Sequence, residues 1–146
     1  MSSYSFVKTD GGRAQSRRRR SKIDRGDCTV RAVAIACGIS YDEAIDVLNP
    51  DGSGTSIVNG RFLFDHVMAD STINGWRFEW ISFPTVKGQP RMNSPTFSRQ
   101  FPVGRFICVE ANHVVAWIDG VRHDLFAPYE RRCIYGAWRL VAEDER

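Results

Sequence analysis

Asn112-His-Val-Val-Ala-Trp-Ile-Asp-Gly-Val-Arg-His-Asp-Leu-Phe126 is two largely apolar runs joined by Asp119-Gly120. An Asp-Gly pair between such runs signals a two-residue β-hairpin turn, because both turn positions require a positive φ. Strands are therefore expected over 112–118 and 121–126. With Asp119 and Gly120 at the turn, Ile118 opposes Val121, Ala116 opposes His123, Val115 opposes Asp124 and His113 opposes Phe126. Opposed residues share a face of the sheet, and so do alternate residues along a strand. His113, Val115 and Asp124 then share a face, with His113 and Asp124 as diagonal neighbours, and His123 points the other way.

Working outward, 105–110 and 133–141 are also rich in β-branched and aromatic residues. Trp76-Arg-Phe-Glu-Trp-Ile-Ser82 reads as a further strand with Trp76, Phe78 and Trp80 on one face. Pro84, Pro90 and Pro95 mark 84–95 as loop, and Ser94-Pro95 leads into one helical turn over 96–101. The N-terminal half reads differently. Asp27 is placed to cap a helix over 28–37, and Gly38 to end it in a left-handed turn. Ser40-Tyr-Asp-Glu43 is a capping box for a second helix, which runs to Leu48 and stops before Pro50. Residues 49–54 read as loop and 61–69, with His66, as a third short helix. Helices first and antiparallel strands second make an α+β fold.

The chain has 146 residues, 42% apolar and 25% charged, as expected for one globular domain. No apolar run approaches the ~20 residues of a membrane span, and the N-terminus lacks the apolar core of a secretory signal. Four cysteines with no Cys-x-x-Cys pair argue against a disulfide scaffold or a structural zinc site. A cytoplasmic protein with reduced thiols, no metal and no cofactor is expected. Residues 1–25 hold eight Lys or Arg against two acids, whereas the rest hold twelve against fifteen. The basicity is thus an N-terminal feature. Residues 1–22 are expected to form a flexible basic tail, and 23–146 a single domain. Arg17, Arg18, Arg19 and Arg20 admit two readings, a solvated run or an electrostatic contact to an acidic partner or nucleic acid.

Cys28 falls in the first turn of the first helix. A helix N-terminus carries partial positive charge, which favours the thiolate, and the thiolate is the nucleophile. If the His113 face packs against the start of this helix, the imidazole reaches the thiol, and Asp124 orients the imidazole. The bland alternative is that Cys28 is a small core hydrophobe. Cys37, Cys108 and Cys133 lie in apolar patterns and read as core.

Asp27-Cys28 opening an alanine-rich helix, with His113 to Asp124 downstream, resembles the papain-like cysteine peptidase superfamily, and more closely its small branch encoded by bacteriophages and prophages. The likeness is carried by Gly26-Asp-Cys-Thr-Val-Arg-Ala-Val-Ala-Ile-Ala36, Gly104-Arg-Phe-Ile107, the hairpin, Arg132-Cys-Ile-Tyr-Gly-Ala-Trp138 and Asp10-Gly-Gly-Arg13. It implies N-terminal helices packed on a C-terminal antiparallel sheet, with Cys28 as nucleophile, His113 as general base and Asp124 as orienter. The family's oxyanion glutamine has no counterpart over 20–26, and Gln15 is the only glutamine upstream of Cys28. The oxyanion role then falls to Gln15 and the Cys28 backbone.

Two functions follow as expectations. One is a cysteine hydrolase that cleaves an amide, isopeptide or related acyl bond of a protein or peptide, in the host cytoplasm if phage-encoded. The other is a catalytically weak papain-like module that binds a host protein or nucleic acid. A Cys28→Ala change separates them, since only the hydrolase loses its effect.

Overall fold

The computed structural model of the chain describes residues 4–16, 27–48, 72–111, 113–127 and 132–143. The third helix expected over 61–69, with His66, the loop over 49–54 and the Arg17–Arg20 run lie outside the described residues. Among those described, the elements are β1 (Ser5–Lys8), a 3-10 turn (Arg13–Gln15), α1 (Cys28–Cys37), α2 (Tyr41–Leu48), β2 (Trp76–Ser82), α3 (Ser94–Gln100), β3 (Arg105–Glu110), β4 (His113–Ile118), β5 (Val121–Asp124) and β6 (Ile134–Ala142). No helix among them is long and apolar enough to cross a membrane.

The six strands form one sheet in the order β1-β5-β4-β3-β6-β2. Every pairing is antiparallel except β1 with β5. The β4–β5 hairpin has the expected register, Ala116 opposite His123 and Ile118 opposite Val121. Asp119 and Gly120 both take positive φ, 49° and 76°, as the turn demands. Between Val109 and Glu110 the β3–β6 register slips, and such an irregularity re-aims a side chain.

The two faces of the sheet are filled differently. One carries α1 and α2, whose Val30, Val33, Ala36, Ala44 and Leu48 pack with Ile107, Val114, Ala116, Trp138 and Leu140. The other carries α3 and an aromatic cluster centred on Phe97 and Trp117, with ring centroids 5.2 Å apart. Tyr4 and Phe106 also belong to that cluster. On the first face Trp80 sits opposite Trp138, centroids 5.0 Å apart.

Local signals explain the helix ends. Ser40 and Glu43 exchange the two bonds of the capping box. Gly38, at φ 71°, donates its N–H back to Ala34 and ends α1. Asn93 caps α3 through the Thr96 N–H, and the helix starts at Ser94, ahead of the expected turn. Asp27 makes no such cap. The buried Arg31 and the half-buried Arg13 claim its carboxylate instead.

The expectation of a tail over 1–22 does not hold for residues 4–16. Ser5–Lys8 pairs in parallel with Val121–Asp124. Tyr4 is buried with its ring 5.7 Å from that of Trp117. The gain from burying apolar surface and closing a sheet edge outweighs the solvation that composition alone suggests.

Candidate active site

Cys28 is the first residue of α1 and His113 the first residue of β4. The condition set from the sequence, that α1 cover the His113 face, is not how they meet. Along β4 the helix packs on Val114 and Ala116, while Val115 and Trp117 belong to the opposite cluster. The two residues stand at the ends of their elements, where reach rather than strand alternation decides contact. There the Cys28 thiol is hydrogen-bonded to the His113 ring and also accepts the backbone N–H of Val114.

The other side of the ring is fixed. His113 Nε2 stands 2.7 Å from Asp124 Oδ2, which leaves Nδ1 for the sulfur. Phe126 lies against the imidazole, centroids 5.6 Å apart, at the position the register predicts. Cys28 and His113 are buried, 5% and 8% exposed.

Asp124 is held by four donors. Oδ1 accepts Arg31 Nη1 at 3.0 Å and the Leu125 N–H at 2.7 Å. Oδ2 accepts Arg122 Nη2 at 3.0 Å besides the imidazole. Arg122, fully buried, also forks onto Glu110 at 2.6 and 3.2 Å. Glu110, beside the register slip, meets Arg132 Nε at 3.3 Å. In the other direction Arg31 Nε reaches Asp27 Oδ1 at 3.0 Å. Asp27 is itself held by Arg13 and by the Tyr41 hydroxyl, which donates at 3.0 Å. The result is an alternating chain of guanidiniums and carboxylates, Arg13–Asp27–Arg31–Asp124–Arg122–Glu110–Arg132. Each buried charge has partners of opposite sign, the condition under which buried ions are tolerated.

The electrostatics follow from these contacts. Burial opposes ionisation of Cys28, but the His113 bond and charge, the Val114 N–H and Arg31 together lower its pKa from the ordinary 9.0. Burial likewise opposes charge on His113, yet the bonds to Asp124 and Cys28 lift its pKa from 6.5 to about 9. For Asp124, burial is outweighed by His113 and Arg122, and its pKa falls from 3.8 to about 2. The two shifts run in the direction of an ion pair, the thiol toward thiolate and the imidazole toward imidazolium. Cys37 contrasts with this: burial pushes its thiol up to about 12. Burial also raises Cys108 well above 9.0.

The structure thus brings together Cys28, His113 and Asp124. It does not bring Gln15 to them. Gln15 lies exposed on the 3-10 turn, in a cleft of about 230 Å³ lined also by Ser16, Ser40, Tyr41 and Asp42, whose walls include neither Cys28 nor His113. The first-turn N–H groups of α1, Cys28 among them, lack acceptors within the helix. His123 bonds the Val121 carbonyl and stays apart. Sequence reasoning missed Arg31, Arg122 and Glu110. Each is a charged residue inside an apolar helix or strand, and that was the available signal. Comparison with family models, with curated proteins and with solved structures finds no match to this chain.

Proposed function

We propose that this chain is a papain-like cysteine hydrolase of the small phage type, acting in the cytoplasm on an amide, isopeptide or related acyl bond of a protein or peptide. The observation that carries the reading is a thiol at a helix start bonded to an imidazole whose far nitrogen is 2.7 Å from a buried carboxylate. Cys28 Sγ attacks the carbonyl carbon and forms the S–C bond, and the carbonyl electron pair moves to oxygen. First-turn N–H groups of α1 stabilise that oxyanion. Collapse breaks the bond to the leaving group, which takes the proton from His113. Water then attacks the thioester, His113 accepts its proton, and the C–S bond breaks to restore the thiolate. Asp124 keeps the ring oriented and supports its positive form.

Site-resolved alkylation of Cys28 by iodoacetamide, followed against pH in the parent and in His113→Ala, tests this. The expected result is a thiolate well below the free-cysteine pKa of about 8.5, lost in the variant. p-Nitrophenyl acetate should also give a burst of one acyl group per chain, absent in Cys28→Ala. A slow thiol indifferent to His113, with no burst, would sink the reading. The second reading, a binding module of the same fold, is favoured by the burial of Cys28 and by the position of Gln15 away from it. It predicts partner binding that survives Cys28→Ala.

A further inference from the structure

Arg31 is an anomaly in its own helix. Its neighbours Val30, Ala32, Val33 and Ala34 are core, and it is itself only 8% exposed. Burying a guanidinium carries a desolvation cost of several kcal/mol unless good geometry offsets it. Neutralising Asp124 does not account for it, because Asp124 already meets the fully buried Arg122. Among the described residues, the other donors to Asp124 are His113, Arg122 and the Leu125 N–H, all on or next to β4 and β5. Arg31 alone brings a bond from α1.

Its two arms point to what that bond does. Nη1 holds Asp124 and Nε holds Asp27, both at 3.0 Å. Asp27 directly precedes Cys28 and is itself tied to Arg13 and Tyr41. The Asp27–Arg31 bond therefore closes over the turn that presents the sulfur. The N-terminal segment backs it from behind: a Cβ at Gly11 would lie 3.0 Å from the Arg31 Cα.

We propose that Arg31 is a positioning residue: its guanidinium braces the helix turn that carries Cys28 against the carboxylate that orients His113, so that thiol and imidazole stay in register. This rests on the reading of Cys28 and His113 given above. The groups facing the pair are Arg31 from α1, the Val114 N–H from β4, and Asp124 and Arg122 from β5. Glu110 and Arg132 stand behind Arg122, and Asp27, Arg13 and Tyr41 behind Arg31.

The test is the pH profile of Cys28 alkylation in the full chain, mapped by peptide mass spectrometry, for the parent, His113→Ala, Arg31→Gln and Arg31→Lys. Lysine keeps the charge but offers a point, not a fork spanning two carboxylates. Both Arg31 variants should shift the apparent Cys28 pKa upward by about one unit, roughly tenfold less thiolate at acidic pH. A parent-like profile in Arg31→Gln overturns the brace. So does full restoration by Arg31→Lys, which would assign the effect to charge alone. If Arg31→Gln does not fold, Arg31→Lys decides by the same criterion. An ordinary Cys28 thiol in the parent, indifferent to His113, sinks the active-site reading itself. A low parent pKa that depends on His113 but not on Arg31 sinks only the brace.

Discussion

Asp124 carries more of the site than any other side chain, since an imidazole and two guanidiniums converge on it. Replacing it with Asn leaves Arg31 and Arg122 buried with one counter-charge fewer. Loss of one member of a buried pair typically costs 3–5 kcal/mol, so Asp124→Asn should destabilise by about that amount in urea denaturation. The lowered pKa has a second consequence. A carboxylate that titrates at about 2 rather than 3.8 contributes stability that is present above pH 3.8 and lost as pH falls through 2. The contribution is on the order of 2 kcal/mol. Because His113 is its main support after burial is overcome, His113→Gln should flatten much of this acid limb, measured by unfolding at pH 4 and pH 2.5. The basic limb has the opposite sign. His113, raised from 6.5 to about 9, contributes stability that is complete below 6.5 and lost as pH rises through 9. Cys28, with its lowered pKa, opposes that trend, and Cys28→Ser should remove that opposition while also shrinking the His113 limb, because the thiol supplies part of what raises the imidazole. At this scale the His113–Asp124 contact was legible, because the Asp119-Gly120 turn fixes which residues sit opposite each other, whereas the route to Cys28 was not, since it depends on where two elements end. The charge chain was not: Arg31 and Asp124 are 93 residues apart, and no local pattern pairs them.

Among the elements, β6 shows how tightly the sheet packs where it meets β2. A Cβ on Gly136 would fall 2.3 Å from two atoms of the Trp80 indole. Gly136→Ala must therefore displace Trp80 from its place over β6, at a cost of about 1–3 kcal/mol. Altered tryptophan near-UV dichroism should accompany the loss. Gly38→Ala isolates a different effect. Nothing lies within 4 Å of its Cβ position, but φ is 71°. Its cost should be only the left-handed strain of about 1 kcal/mol, with the tryptophan spectrum unchanged. Most elements were readable because each has its own signal: paired caps around α2, the Pro-led start of α3, and alternation in β2. Asp27 stands at the N-cap position, but its carboxylate does not make the expected cap, because cap propensity is a local preference and three hydrogen-bond partners, the half-buried Arg13 and the buried Arg31 and Tyr41, override it.

For the whole molecule, the decisive long-range pairing is β1 with β5. Ser5–Lys8 is too short and too mixed in polarity to announce a strand, and its partner lies near the other end of the sequence. Composition therefore grouped it with the arginine-rich stretch that follows. Removing residues 1–9 should leave β5 as an edge strand paired only with β4, and uncover Trp117. A loss of about 2 kcal/mol or more is expected from the lost Tyr4 burial alone. Hydrogen exchange should quicken at Val121–Asp124, the strand that ends in the carboxylate bonded to His113.

The same pairing sets an order of events on the ribosome. Cys28 emerges while its partners are still unsynthesised. β5 is needed both as the neighbour of β1 and as the source of Asp124. Until that strand is translated, the nascent chain carries Cys28 as an ordinary thiol with a pKa near 8.5, without the imidazolium that would ionise it. On the proposed reading of Cys28, full reactivity arrives late in synthesis, when the sheet closes, and a half-made chain exposes no activated sulfur to its surroundings.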